Sequence, residues 1–335
     1  MKILVTRLSS IGDVVLTTPV LRCLKTQIEV CKLHLISKKI CCQLLQGNPY
    51  IDRIIEYDGG KDHESMLREE HYDYIVDLHN NHRTRRLRRQ LRVRSLVYRK
   101  ENFGKFMLVL TKWDIMSGRH VVDRYFDAVK SLGVTNDSKG LELSNFPLNH
   151  LNTQTFKHSN IVGRADGTPQ TLNHSYVVIA CGAQHETKRI PPEKIAYLAN
   201  GIEKSVVLVG DNSDRERMER VELGDNVLNL CGMTSLQESA AIVSKADAVV
   251  TSDSAMMHVA AAYHRKVIAI WGCTSPRFGF WAYGTDHVDV VPQSLRCWPC
   301  RRMGTNRCPK GHFNCMINHD YDEINKIVLG IKNGS

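Results

Sequence analysis

Four segments in the second half of the chain, 176–180 (YVVIA), 205–209 (SVVLV), 248–251 (AVVT) and 267–271 (VIAIW), are apolar along nearly their whole length. A strand with one wet face alternates polar and apolar residues. A strand that does not alternate must be covered on both faces, as in a parallel sheet held between helices. Helical segments at 193–202 and 235–246 lie between these runs. The first half repeats the plan, with strands at 3–6, 32–37 and 74–78 and helical spacing at 19–27 and 38–45. Pro19 is expected to kink its helix or to be confined to the first turn. Strand–helix alternation predicts an α/β chain of two Rossmann-like domains. The polar stretch 149–175, with Gly163, Gly167 and Pro169, reads as the interdomain linker or an exposed excursion. We place the boundary at 160/161, giving domains 1–160 and 161–335, a division that 335 residues favour.

Charge narrows the function. Lys+Arg number 45 against 35 Asp+Glu, a net charge of +10. Residues 83–100 (RTRRLRRQLRVRSLVYRK) hold nine of the basic residues and no acid, so without them 36 basic residues face 35 acidic ones. The excess is one local cationic segment, suited to an acidic glycan, an anionic membrane or nucleic acid. Placed along a helix, Arg85, Arg86, Arg88, Arg89, Arg92 and Arg94 would form a broad cationic face beside Leu87 and Leu91. No apolar run approaches the roughly 18 to 20 residues that cross a bilayer, and the start lacks a signal-peptide core. Eleven cysteines, an odd number with several in apolar stretches, fit a reducing cytoplasm.

Ligands of open α/β sheets bind beyond the carboxyl ends of the strands. Two such loops stand out. Ser9-Ser10-Ile11-Gly12-Asp13 lacks both the dinucleotide glycine fingerprint and the P-loop lysine. Gly12 permits close backbone approach, and Asp13 either caps the helix or serves the reaction. The second loop, Ser252-Asp253-Ser254-Ala255-Met256-Met257-His258, opens a helix whose N-terminal amides suit a diphosphate. Taken alone, His258 reads as a buried histidine.

Together these loops carry a resemblance. SSIGDVVLTTPVLRCLK and TSDSAMMHVAAAYHRKVIAIWGCTSP are similar to the two signatures of glycosyltransferase family 9, the bacterial ADP-heptose:lipopolysaccharide heptosyltransferases. Lys188-Arg189-Ile190-Pro191-Pro192-Glu193 resembles that family's Lys-x-Trp-Pro-x-Glu segment, with Ile190 for tryptophan, and Ala255 stands where glycine is usual. The resemblance implies a GT-B fold, two facing α/β domains with a cleft, and inverting, metal-independent transfer from a nucleotide sugar without a cofactor. It makes Asp13 the general base. Lys188 and the amides of Ser254, Ala255 and Met256 would meet the departing diphosphate. Ser10 and Gly12 would line the donor, Asp253 would fix its sugar and His258 would orient the loop. Asp214 would hold the ribose, with Met233 and Thr234 beside adenine. Arg83 would face the acceptor. The implied partners are ADP-heptose, a lipopolysaccharide core or lipid A precursor, and the anionic inner face of the cytoplasmic membrane, where the enzyme would sit peripherally.

Cys297-x2-Cys300-x7-Cys308-x6-Cys315 is the remaining pattern, open to a structural zinc reading or to a local element of the family. A basic, zinc-ribbon-containing nucleic-acid-binding protein is the alternative from another class. It leaves both sugar-nucleotide loops unexplained, so no nucleic acid is expected. Transfer from a different nucleotide sugar is the alternative within the class.

Overall fold

The computed structural model describes residues 1–59, 62–147 and 175–330. They form two compact units: Met1–Gly104 with Met116–Ser144, and Lys105–Ile115 with the described residues after Asn145.

The first unit is built on β1 (Lys2–Thr6), β2 (Lys32–Ser37), β3 (Arg53–Glu56), β4 (Tyr74–Asp77) and β5 (Arg94–Val97). All pairings are parallel, in the order β3-β2-β1-β4-β5. Ile3, Leu4 and Val5 on the central strand are all fully buried, as its unbroken apolar run requires. On one face, Leu4, Leu8, Ile36, Ile75 and Leu87 pack together. The expected break at Pro19 takes the form of two helices, Ile11–Val15 and Thr18–Gln27. Pro19 stands in the first turn of the second, where its missing N–H is not needed.

The second unit carries β6 (Tyr176–Ala180), β7 (Ser205–Val209), β8 (Val227–Asn229), β9 (Ala248–Ser252), β10 (Lys266–Ile270) and β11 (His287–Val290). Its order is β11-β10-β9-β6-β7-β8, again all parallel. Both sheets have the Rossmann strand order, so each has one point where the order reverses: β1/β4 in the first and β6/β9 in the second.

Two features differ from expectation. The strands not foreseen, β3, β5, β8 and β11, are the four sheet edges. An edge strand is short and half-wet, so it lacks the continuous apolar run that marks a central one. Residues 105–115 belong with the second unit although they precede the 160/161 boundary. Lys105 lies over the Phe280 ring, 4.3 Å from its centroid, and Lys112 Nζ donates to Cys297 O and Pro299 O (3.0 and 2.7 Å). The boundary itself and nearly all of the linker lie outside the described residues.

Arg22, buried in the first unit, donates Nε and Nη2 to Asp137 (2.7 and 2.8 Å), Nη1 to Glu142 (2.9 Å) and Nη2 to Gly140 O (2.9 Å). This guanidinium ties residues 137–142, which follow helix Val121–Val129, back to Thr18–Gln27. Its hydrogen bonds hold the Asp137 carboxyl down to about 2. A depressed carboxyl pKa contributes stability above the unfolded value near 4, and that stability is lost as pH falls from there towards 2. Arg22→Met should lower unfolding stability by about 3 kcal/mol at neutral pH. It should also flatten the stability profile between those pH values, as read by urea unfolding across the acid range.

Candidate functional site

The first unit's site lies where β1 and β4 diverge. β1 ends in Thr6, and Arg7 follows, its side chain buried beneath the loop. Arg7 Nη2 pairs with Asp13 Oδ1 at 2.6 Å, Nη1 donates to Leu78 O at 2.6 Å, and the guanidinium lies over the Tyr125 ring. Asp13 is the third residue of helix Ile11–Val15, and its Oδ2 accepts from Ser10 N (3.1 Å) and Ser10 Oγ (2.7 Å). The capping role left open by the sequence is therefore present. Even so, the Asp13 side chain keeps 20% exposure. Burial pushes its carboxyl up, but Arg7 and the two Ser10 bonds outweigh this and hold it well below the usual carboxylate range. Asp13 is ionised, oriented and within reach of solvent. Gly12 is buried beneath it.

Asp77 ends β4 and is wholly buried. Its Oδ1 accepts from Thr6 Oγ1 (3.0 Å), His79 N (3.1 Å) and Asn80 N (2.8 Å), and its Oδ2 lies 3.0 Å from Arg88 Nε. The turn so fixed brings His79 Nδ1 to accept from Leu8 N at 3.1 Å. Burial and then Arg7 push the His79 pKa down to about 3, so the ring is neutral. Burial and Arg7 likewise lower Lys100.

The basic segment forms helix His82–Leu91 followed by β5. Arg88 turns inward to Asp77, while Arg83, Arg85, Arg86, Arg89, Arg92 and Arg94 are exposed. Arg83 stands in the first turn, against the helix dipole, so helix stability does not account for it. Arg83 and Arg86 line a pocket with Lys38, Lys39, Tyr57 and Asp58. Lys38 N bonds Leu8 O (3.1 Å), which joins the pocket wall to the loop preceding Asp13.

The second site lies where β6 and β9 diverge. Lys188, in the turn Glu186–Lys188 after β6, pairs with Asp253 Oδ2 at 2.6 Å, and Thr274 Oγ1 donates to the same oxygen at 2.6 Å. Burial opposes the ionised form of Asp253, but Lys188 outweighs it and the carboxyl is lowered. His258, buried on helix Ala255–Ala262, adds to that lowering. Ser254 caps the helix. Its Oγ accepts from Met256 N (3.3 Å), so this amide already has a partner, while Ala255 opens the first turn. Asp214 is completely buried. It closes a capping box with Asp211 and lies 3.3 Å from Arg217 Nη1, and the structure gives it this capping role. Gly210, at the end of β7, accommodates it, since a Cβ there would lie 2.7 Å from Asp214 Cβ. Met233 is exposed and Thr234 Oγ1 bonds Ser239 Oγ (2.8 Å), both in the turn after β8. Lys188, Asp253, Ser254, Ala255, Met256 and His258 thus share one end of the sheet, and Met233 and Thr234 lie along the same edge.

The cysteine segment braces this site from behind. Cys300 N donates to Cys273 O (3.1 Å), Trp298 Nε1 to Thr274 O (2.8 Å) and Thr305 N to Thr187 Oγ1 (2.8 Å). Cys297 Sγ lies 3.7 Å from His312 Nε2. Burial, and then the neighbouring thiols, push Cys300 up to about 11 and Cys315 up to about 12. Among the described residues no three His, Cys, Asp or Glu side chains are arranged to hold a metal ion. The zinc reading of Cys297, Cys300, Cys308 and Cys315 therefore finds no ready ligand set.

Two units of Rossmann strand order, each with its candidate site residues at the switch point, have the architecture of GT-B glycosyltransferases. Residues 62–310 match glycosyltransferase family 9 (heptosyltransferase), and the chain belongs to that family. It is 25% identical over 302 residues to lipooligosaccharide heptosyltransferase 2 of Haemophilus influenzae, covering 83% of this chain and 85% of that protein. Among solved structures, E. coli ADP-heptose lps heptosyltransferase II superposes with a TM-score of 0.70 at 19% identity, covering 99% of this chain and 98% of that one. An E. coli heptosyltransferase solved with ADP-2-deoxy-2-fluoro heptose gives 0.65 at 18% identity, covering 99% and 100%. The chain is therefore a glycosyltransferase, which accounts for the two loops that the nucleic-acid-binding alternative leaves unexplained.

Arg7, His79 and Lys100 were not singled out in the sequence. The one signal for Arg7 was an arginine directly after a buried strand, a place where a charge needs a partner. Arg7→Met should let burial raise the Asp13 carboxyl. The acid limb of the pH–rate profile should then move up by about one unit or more relative to the parent. An unmoved limb would show that Arg7 does not set the state of Asp13.

Proposed function

We propose that this family 9 enzyme transfers heptose from ADP-heptose to an inner-core lipopolysaccharide acceptor, in one inverting, metal-independent displacement with Asp13 as general base. The observation that carries this reading is Asp13 itself, ionised, partly exposed and aimed by Arg7 and Ser10 beside a basic pocket.

The acceptor hydroxyl oxygen forms its bond to the anomeric carbon as the bond from that carbon to the diphosphate oxygen breaks. Asp13 receives the hydroxyl proton, and ADP departs with the bonding pair. A carboxylate held this low is a weak base. It suffices when the proton leaves late, because the hydroxyl becomes strongly acidic as its oxygen bonds the electron-poor carbon. Lys188 offsets the charge that develops on the diphosphate. In this reading Lys188 exchanges part of its contact with Asp253 for a phosphate oxygen, Ser254 and Ala255 contribute amides, and Asp253 turns to the sugar. Ser10 and Gly12 line the transfer point, and Met233 and Thr234 flank the base. Arg83 and Arg86, with Lys38 and Lys39, take the carboxylates and phosphates of the acceptor, whose geometry the guanidinium fork fits. The enzyme works at the cytoplasmic face of the inner membrane, where such an acceptor is presented. Cys297 to Cys315 brace the loops and take no part in the chemistry.

Asp13→Asn should reduce transfer by about three orders of magnitude or more while leaving ADP affinity unchanged. Loss of folding in that variant would reduce Asp13 to a cap. Lys188→Ala should weaken ADP-sugar binding and slow transfer together. Thermal shifts with ADP, UDP and GDP sugars test the donor: stabilisation by ADP-heptose alone supports the reading, and a UDP preference redirects it to another sugar.

A further inference from the structure

We infer that helix Asn102–Thr111 and the turn after it dock on an anionic phospholipid surface, an inference that rests on the glycolipid reading of the acceptor. Phe103, Phe106 and Leu110, spaced i, i+3 and i+7, share one face of the helix. Their exposures are 69%, 46% and 66%, and Trp113, two residues past the helix, is 66% exposed. The opposite face supplies the buried Gly104 and Leu108. A surface helix ordinarily turns its apolar stripe to the core and its polar face to water. Here the largest apolar side chains face outward, and exposed apolar groups collected in this way mark a binding surface.

The charges nearby indicate what covers it. Arg99 and Lys100, both exposed, directly precede the helix, whereas Lys105 is held over the Phe278 and Phe280 rings and Lys112 Nζ by the carbonyls of Val109, Cys297 and Pro299. The two acids of this stretch are matched elsewhere, Glu101 by Arg124 at 2.9 Å and Asp114 by Arg277 at 3.1 Å. The helix also follows directly on the acid-free run 83–100. A second copy of the chain, meeting this face through a twofold axis, would set those cations against their own equivalents, which is unfavourable. An anionic bilayer matches both features, apolar side chains entering the acyl boundary while lysine and arginine meet phosphates. Ten residues of helix extend about 15 Å, too short to span a bilayer but enough to lie in its interface. Tryptophan at the end is the side chain suited to the headgroup boundary. Among the described residues no helix is long and apolar enough to cross a membrane.

The test uses the full chain and vesicles of phosphatidylcholine with and without phosphatidylglycerol. Co-sedimentation should be strong only with the anionic vesicles. The triple variant Phe106→Ser, Leu110→Ser and Trp113→Ser should lose it by about tenfold or more. These positions are exposed, and an unchanged melting temperature verifies the fold. Brominated lipid should quench tryptophan emission in the parent, and Trp113→Phe should remove most of that quenching. Transfer to a water-soluble, deacylated acceptor should be unchanged in the triple variant. Vesicle binding without transfer to any acceptor would defeat the proposed function and leave the docking surface standing. Equal sedimentation of parent and variant, or no quenching in the parent, would overturn the docking surface. Loss of a dimer in the variant, read by analytical ultracentrifugation, would instead make this face a contact between copies and overturn it too.

Discussion

A parallel sheet covered on both faces cannot return its chain through a tight turn. A strand is followed by a crossover, and where the strand order reverses, the crossovers that follow the two adjacent strands leave in opposite directions and open a gap at the carboxyl edge. Both candidate sites of this protein lie at such gaps, β1/β4 and β6/β9. The loops there carry Asp13 and His79 in one unit and Lys188 and Asp253 in the other, so the candidate residues are placed by the order of the strands.

Each gap is then stiffened by an ion pair that is mostly shielded from water. In the first unit Arg7 reaches Asp13 and Leu78 O together and thereby links the loops after β1 and β4. In the second, Lys188 and Thr274 converge on Asp253 and link the loops after β6, β9 and β10. Pairs in this setting are costly to desolvate and contribute little net stability against a well-packed apolar core. Their value here is orientation, since each holds a carboxylate ionised and aimed. The cysteine segment extends the same bracing: Cys300 bonds Cys273, Trp298 bonds Thr274 itself, and Thr305 bonds Thr187 beside Lys188.

The charge excess has a similarly divided use. Arg88 is spent inside the first unit on Asp77, where it helps hold the turn to His79. Arg83 and Arg86 line the pocket beside the Asp13 loop, and the remaining arginines of the helix face solvent. One basic run thus supplies a structural contact, part of a pocket wall and an exposed cationic face, according to the direction each residue takes around the helix.

Local sequence determined the central strands, the two-domain α/β plan and the loops that carry the site, because burial on both faces leaves an unbroken apolar run and strand ends leave polar punctuation. It marked Asp13, Lys188 and Asp253 as residues worth placing. Tertiary structure alone decided the edge strands, whose half-wet surfaces leave no such run. It also decided that residues 105–115 pack with the second unit, through contacts of Lys105 and Lys112 with residues more than 170 positions away. The ionisation of Asp13, the neutrality of His79 and the capping role of Asp214 were likewise decided there. A side chain's charge state depends on desolvation and on partners brought from distant strands, and neither is encoded in its neighbours along the chain.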